Sequence, residues 1–363
     1  MNKNHYCVIM AGGIGSRFWP LSKISKPKQF LDILGTGRTL LQATYDRFRE
    51  IILHENIIIV TNAYYKDFVF EQIPGLDPSQ VLLEPMRKNT APCIAYANYK
   101  IKKVNPDAVI VVSPADHLIL KQDVFIGEIK KALEIASSEK ALLTLGIKPN
   151  RPETGYGYIQ AATKEISGKP DNLRRVKTFT EKPDIDLAKV FFESGEFFWN
   201  SGIFIWSLDT IMDAFRQFLP DVDTLFASGM ETYGTPDESE LITGIYATCK
   251  NISVDYGIME KAEDVYVLYS DFGWSDLGSW GSLYEHSSTD NNGNMISGNS
   301  LFAYDVRNSI INMPNDKIVV LQGLDGYIVV ESGNVLLVCR KEEEQRIKQF
   351  VNDVKIEKGE EFL

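Results

Sequence analysis

Through the first 150 positions, short β-branched and aliphatic runs alternate with stretches whose apolar residues recur every three or four positions. The runs Tyr6–Met10, Ile57–Thr61, Val81–Leu83, Ala108–Ser113 and Ala141–Leu145 are too short for helices, so they predict strands. The spaced pattern predicts helices over Thr39–Ile51, Tyr64–Gln72, Ala91–Lys102 and Phe125–Ser137. Strand and helix in succession imply βαβ units, an α/β class and a mainly parallel sheet. From 151 to 290 the pattern loosens: strands Val176–Thr180 and Val265–Tyr269 and a helix Asp186–Ser194 are joined by glycine-bearing loops. Ser253–Lys261 reads as a short capped helix, with Asp255 as a candidate cap. Asp290–Asn294 is polar, turn-rich and aperiodic, the clearest linker signal in the chain. Beyond it, short strands of similar size (Ser300–Tyr304, Ser309–Asn312, Ile318–Leu321, Tyr327–Glu331, Val335–Cys339) and a charged helix from Lys341 to about Val354 predict a small β unit. The expected domains are therefore 1–290, in halves 1–150 and 151–290, and 291–363.

In open α/β sheets ligands sit beyond the carboxyl ends of the strands, so the loops there carry the candidate chemistry. The first strand breaks directly into Ala11-Gly12-Gly13-Ile14-Gly15-Ser16-Arg17. Glycines in such a turn let successive N–H groups converge on an anion, and Arg17 and Lys28 add charge beside it. The loop is not a Walker motif, since Ser16-Arg17 follows Gly15 in place of Lys-Ser/Thr. Nor is it a dinucleotide fingerprint, since Phe18 occupies the position of the third glycine, which disfavours a NAD-linked oxidoreductase. Trp19-Pro20 and Lys26-Pro27 keep the segment from starting a helix. What remains is a long basic loop suited to phosphate.

Gly12-Gly13-x-Gly15-x-Arg17-x-x-Pro20-Leu21 followed by Pro27-Lys28 resembles the signature of the sugar nucleotidyltransferases. Phe18-Trp19-Pro20-Leu21-Ser22 and Pro27-Lys28-Gln29-Phe30-Leu31 are similar to the branch that transfers guanylyl groups to mannose 1-phosphate. The resemblance implies a Rossmann-like, mainly parallel mixed sheet, the nucleotide-diphospho-sugar transferase fold, with a β-helix-like C-terminal unit. It implies nucleotide contacts from Ala11, Gly12, Gly13, Gly15, Ser16 and Arg17.

The later loops extend it. Glu84-Pro85-Met86-Arg87-Lys88-Asn89-Thr90-Ala91-Pro92 resembles the family loop that borders the guanine, with Arg87-Lys88 in place of the usual Gly-Arg. Glu84, Pro85, Asn89 and Thr90 are thereby nucleotide candidates, although Asn89 or Thr90 also reads simply as a helix cap. Asp116, in Ser113-Pro114-Ala115-Asp116-His117, lies just past a strand end, where a hard oxygen donor suits Mg²⁺. A turn-forming Asp is the plainer reading, but Pro-Ala-Asp-His matches the family's metal-binding strand end. Asp276, in Gly273-Trp274-Ser275-Asp276-Leu277-Gly278-Ser279-Trp280, is either a cap for a helix starting near Ser279 or, by the resemblance, the second metal ligand. The segments holding Gly155-Tyr156, Glu181-Lys182 and Asn200 resemble the sugar-1-phosphate pocket, with Gly155, Tyr156, Glu181 and Asn200 on the hexose side and Lys182 on its phosphate. Adjacent strand residues point to opposite faces, so Glu181 and Lys182 are not expected to pair simply with each other.

The implied reaction joins GTP and mannose 1-phosphate into GDP-mannose and pyrophosphate. A sugar 1-phosphate has a second pKa near ~6 and is largely ionised at neutral pH, so no general base is needed. Arg17, Lys28 and Lys182 are then the catalytic cations, with Lys28 near the α-phosphate and Arg17 on the departing pyrophosphate. A formal net charge of −11 argues against nucleic acid as a partner and makes the Arg17/Lys28 cluster stand out. Cys7, Cys93, Cys249 and Cys339 are widely spaced and read as reduced thiols. With no leader and no apolar run of membrane-spanning length, the chain is expected to be cytoplasmic, without a membrane partner. The β unit is expected to serve packing or homodimer formation, and a cupin-type isomerase domain found in some relatives is expected to be absent. Rival readings are a nucleotidyltransferase for another hexose or base, and a non-catalytic sugar-nucleotide sensor.

Overall fold

In the computed structural model, which describes residues 1–298 and 300–363, the predicted alternation folds as one large mixed sheet. Its elements are β1 (His5–Met10), α1 (Leu40–Arg49), β2 (Ile57–Asn62), α2 (Lys66–Gln72), β3 (Val81–Glu84), α3 (Thr90–Val104), β4 (Val109–Pro114), α4 (Gln122–Ser138) and β5 (Leu142–Ile147). They continue with β6 (Tyr158–Ala161), β7 (Leu173–Thr180), α5 (Ile185–Ser194), β8 (Phe197–Ser207), α6 (Leu208–Phe218), α7 (Pro220–Ala227), α8 (Glu238–Thr248) and β9 (Val265–Tyr269). The strand order is β3-β2-β1-β4-β8-β5-β9-β7-β6, with β7 and β8 running against the others. Every residue of β2 and β5 is buried, as strands covered on both faces must be. Helices α6 to α8, in a stretch without a clear sequence signal, add Phe215, Phe226 and Tyr246 to the core.

Packing divides the chain into two units, residues 1–12, 42–115 and 119–274 in one, and 13–41, 116–118 and 275–363 in the other. The first holds the sheet. In the second, α9 (Trp280–Glu285) is followed by β10 (Met295–Ser297), β11 (Leu301–Tyr304), β12 (Ile310–Asn312), β13 (Val319–Gln322), β14 (Tyr327–Ser332) and β15 (Val335–Arg340). Successive turns lay β10, β12 and β14 in one parallel ladder closed by antiparallel β15, while β11 and β13 form a second parallel pair. This is the β-helix-like arrangement expected for the C-terminal strands. The Asp290–Asn294 stretch is an ordered turn: the Asp290 carboxylate accepts the N–H groups of Asn292 and Asn294, and buried Asn294 donates to the Val306 carbonyl.

The glycine loop and the segment after it pack with these C-terminal strands. Phe18, Trp19, Ile33 and Leu40 share a core with Leu277, Trp280, Ile310, Ile328 and Leu337. The Phe18 and Trp280 rings lie 5.1 Å apart, and the Trp19 indole donates to the Phe362 carbonyl at 2.8 Å. The charged helix α10 (Ile347–Lys358) starts later than its composition predicts, because Lys341–Arg346 form 3₁₀ turns that turn Glu344 toward α9. There its carboxylate accepts from Ser279 Oγ (2.9 Å) and the Gly281 N–H (2.7 Å), at a helix N-terminus that favours negative charge. Glu344→Ala should therefore lower stability by about 1–2 kcal/mol. Thermal melts of the two proteins at neutral pH measure this, and an unchanged midpoint would show that the carboxylate is dispensable.

Candidate active site

Register brings the two phosphate-side segments together. Met10 pairs with Pro114 at the ends of parallel β1 and β4, and the ladder runs one residue further through Ala115 N–H to the Met10 carbonyl at 3.0 Å. The chain after β1 becomes the glycine loop and the chain after β4 becomes Asp116. A Cβ on Gly13 would stand 3.8 Å from Asp116 Oδ2, so that carboxylate faces the loop.

Within the loop the carbonyls are fixed by side chains: Gln29 Nε2 donates to Gly13 O (2.8 Å) and Ser22 Oγ to Ile14 O (3.1 Å). The N–H groups of residues 12–15 make no hydrogen bond with another described residue. Gly15 has φ +55°, and a Cβ there would lie 2.8 Å from both Lys28 Cγ and Ser22 Oγ, so no other residue fits. Arg17 Nε is buried without a hydrogen-bond partner. Amides and a guanidinium nitrogen left over in this way are what an anion satisfies.

Lys28 is only 7% exposed and its three hydrogens are all engaged. Nζ pairs with Asp116 Oδ2 at 3.0 Å and donates to the carbonyls of Asp276 (2.7 Å) and Leu277 (3.0 Å). One ammonium thus gathers two segments 160 residues apart in sequence. Burial alone would raise the Asp116 pKa, but the Lys28 and His117 charges outweigh it and hold the carboxyl below its ordinary value. Asp276 Oδ1 accepts the Gly278 N–H at 2.8 Å, and Ser279, rather than Asp276, caps α9. Among the described residues no three His, Cys, Asp or Glu side chains come together. The Asp116 carboxylate is a hard oxygen donor of the kind Mg²⁺ takes, and Lys28 holds the main chain of Asp276 beside it.

The sugar-side candidates cluster separately, inside the sheet unit. β8 bulges where Thr144 pairs with Phe204 and Gly146 with Asn200, so the chain from 201 to 203 loops out and presents Asn200 inward. The Asn200 amide is fully oriented. Its Oδ1 accepts from Thr144 Oγ1 (3.0 Å) and the Gly202 N–H (3.2 Å), while Nδ2 donates to Asp255 Oδ1 (2.9 Å). The 155–158 loop is tied to the same place, with Lys182 N–H donating to Tyr156 O (3.2 Å) and Asn200 N–H to Gly157 O (2.8 Å). Tyr156 is wedged edge-on between Trp199 and Trp274, with ring centroids 5.0 and 5.1 Å away.

Gly157, which carried no signal of its own in the sequence, is the glycine against this cluster. A Cβ there would lie 2.4 Å from Glu181 Oε2 and 3.3 Å from Asn200 Cβ, whereas one on Gly155 would meet only the Glu153 carboxylate. The expectation that Glu181 and Lys182 would not pair is incorrect, because β7 ends at Thr180 and Lys182 takes φ +49°, which breaks the alternation and joins the two side chains in an ion pair. The Asp255 cap reading is also incorrect. Asp255 opens a π-type turn (Asp255–Met259) without capping it, and its side chain serves Asn200 instead.

On the base-side loop, Asn89 caps α3 at φ +69°, and Thr90 Oγ1 accepts the Val254 N–H at 2.9 Å. Pro85 follows Glu84 at the end of β3. Glu84 is 6% exposed and accepts from Tyr246 Oη at 2.9 Å, and a Cβ on Gly12 would lie 3.4 Å from its Oε2. Burial raises its pKa to about 7, against the pull of Tyr246 and Arg87.

Residues 6–293 match the nucleotidyl transferase family model, which is most of the chain. The chain belongs to the nucleotidyl transferase family. Residues 301–354 match the mannose-phosphate isomerase/GMP-like β-helix domain. A mannose-1-phosphate guanylyltransferase of Escherichia coli is 37% identical over 360 residues, 98% of this chain and 75% of that protein. One from Klebsiella pneumoniae is 36% identical over the same shares. The crystal structure of a mannose-1-phosphate geranyltransferase from Thermus thermophilus superposes with a TM-score of 0.86 at 30% identity, over 97% of this chain and 99% of that one. Nucleotidyl transferase membership accords with the phosphate-loop geometry, and no helix of the described residues is long and apolar enough to cross a membrane.

The Glu84 pKa carries a stability consequence. Its folded value lies above the unfolded one, so the folded chain holds a proton that the unfolded chain has released, and stability falls as pH rises from about 4.5 to about 7. Glu84→Gln keeps an acceptor for Tyr246 but removes this cost, on the order of 3 kcal/mol. Relative to the parent, the variant should melt higher at pH 8 than it does at pH 5. The same offset at both pH values would rule out a proton on Glu84.

Proposed function

We propose that the chain transfers the GMP moiety of GTP to mannose 1-phosphate, giving GDP-mannose and pyrophosphate. The relatives named above supply the substrates, and one observation carries most of the weight: the glycine loop, with its uncommitted amides and the buried Arg17 Nε, faces Asp116. A sugar-phosphate oxygen attacks the α-phosphorus of GTP, the bond to the β-phosphate oxygen breaks, and pyrophosphate leaves. The nucleophile is already an anion, so the chain's task is to align two polyanions and neutralise them.

In this reading the amides of Gly12, Gly13 and Gly15 with Ser16 and Arg17 hold the pyrophosphate portion. Glu84, Pro85, Asn89 and Thr90 border the guanine. Glu181 and Asn200 take hexose hydroxyls, and Lys182, with a side chain 59% exposed, reaches the sugar phosphate. Lys28 contributes a fixed positive field beside the α-phosphate while its hydrogens hold Asp116 and the 276–277 main chain. Asp116 and Asp276 would hold Mg²⁺, which when bound supplies charge neutralisation between the reacting phosphates.

Pyrophosphate release assayed across GTP, ATP, UTP and dTTP with several hexose 1-phosphates tests the assignment. It should be Mg²⁺-dependent and highest for GTP with mannose 1-phosphate, and a different best pair would reassign base or sugar. Asp276→Asn should lower kcat by about a thousandfold or more, with the melting temperature preserved. A fully active variant would remove Asp276 from the metal. Lys182→Ala should raise KM for mannose 1-phosphate roughly tenfold to a hundredfold with little change for GTP. A change confined to the GTP KM would move Lys182 to the nucleotide side.

A further inference from the structure

The Asn200 amide has three of its four hydrogen-bonding positions filled by the protein, and the partner that fills the third is an acid the reaction does not require. The Gly202 N–H and the Thr144 hydroxyl, whose one hydrogen is shared with the Ile203 carbonyl, face Oδ1, which turns Nδ2 toward Asp255 and leaves one N–H for a ligand. That N–H lies close to a carboxylate. A Cβ on Gly157 would fall 3.6 Å from Asn200 Nδ2 and only 2.4 Å from Glu181 Oε2, so glycine at 157 lets the Glu181 carboxylate come close to the Asn200 amide. A sugar hydroxyl satisfies both at once, donating to Glu181 and accepting from Asn200.

Asp255 is costly where it stands. It is 9% exposed, and its side chain bonds to an uncharged amide. The charged groups around it are Glu181 and Lys182 at the end of β7, with Glu260, close to Glu181, at the end of its own turn. A buried carboxyl beside a second carboxylate is unfavourable for folding, and a neutral side chain of the same shape would remove that penalty. The 253–256 segment that carries it is held in place by Thr90 Oγ1 on Val254 N–H and by the Ile252 carbonyl on Ala91 N–H (3.1 Å). An expensive group on a fixed support, touching one ligand-facing amide, has the form of an orienting device.

We infer that Asp255 is a positioning residue for the sugar, acting by aligning the Asn200 amide for a hexose hydroxyl. The inference rests on the sugar-phosphate role proposed for the Glu181/Asn200 cluster. Burial first, and then the Glu181 charge, raise the Asp255 pKa to about 7. Above that pH Asp255 adds a negative charge beside the Glu181–Lys182 ion pair. That charge opposes a dianionic ligand, so sugar-phosphate KM should rise with pH above about 7, where the ligand's own phosphate is already ionised.

Steady-state kinetics on the full chain, with GTP, mannose 1-phosphate and Mg²⁺ between pH 6.5 and 8.5, test the inference. In the parent, KM for mannose 1-phosphate should climb by up to about tenfold per pH unit above the transition. Asp255→Asn should keep that KM near the parent value at pH 6.5 and flatten its rise. Asp255→Ala should raise the KM about tenfold or more with kcat and the GTP KM little changed. Adding Asp255→Ala to Asn200→Ala should cost nothing beyond Asn200→Ala alone. Additive effects, a GTP KM that moves equally, or an Asp255→Asn profile that still rises would each overturn the positioning role. If Asp255→Ala fails to fold, the Asp255→Asn profile decides alone. A parent that releases no pyrophosphate from this pair of substrates would defeat the proposed reaction instead, a result separable from all of these.

Discussion

A single buried ammonium organises the phosphate side of this protein. Lys28 Nζ satisfies a carboxylate from the end of β4 and two main-chain carbonyls from the 276–277 segment, so the loops bearing both candidate metal ligands depend on one cation. Removing it would leave the Asp116 carboxylate without its closest counter-charge, the circumstance in which buried ion pairs matter most. The same side chain limits what Gly15 can be, because its Cγ occupies the space a Cβ would need. Lys28 is therefore a structural clamp first, and any electrostatic effect on a nucleotide comes from a charge already fixed in place.

The sugar-side cluster is built on the opposite principle, by removing atoms. Glycine at 157 lets the Glu181 carboxylate approach the bulge in β8, and hydrogen bonds with Thr144, Gly202 and Asp255 fix the Asn200 amide beside it. Main-chain bonds from Tyr156 and Gly157 to Lys182 and Asn200 keep the surrounding loop in step. The Asn200 amide is thus held by a strand, while Glu181 and Lys182 are held by the turn that follows Thr180.

The strands and helices of the first 150 residues were legible because their apolar periods differ and their ends carry turn residues, and Val265–Tyr269 was read at its observed limits. The glycine turn after β1 was legible too, because an apolar strand runs straight into three glycines. The partners of Lys28 were not, because carbonyl acceptors carry no side-chain signature and lie some 250 residues away. Gly157 was hidden beside Gly155 in a glycine-rich loop, and only the would-be Cβ contacts tell them apart. Asp255 looked like a cap because acids often precede helices, and nothing local announces a π-type turn or a bond to Asn200. The Glu181–Lys182 pair was misjudged because strand alternation was extended past Thr180, where the left-handed Lys182 ends it. Helices α6 to α8 lacked a clear sequence signal, although their apolar residues are central to the core.

The bulge in β8 has a bearing on which changes of sequence this part of the sheet can take. Asn200 owes its inward aim to the count of residues between Gly146 and Thr144 pairings, so inserting or deleting one residue there would swing the amide to the far face of the sheet. This part of the chain is consequently open to exchange of side chains on an unchanged backbone and closed to length variation, the reverse of the rule for antibody-like loops.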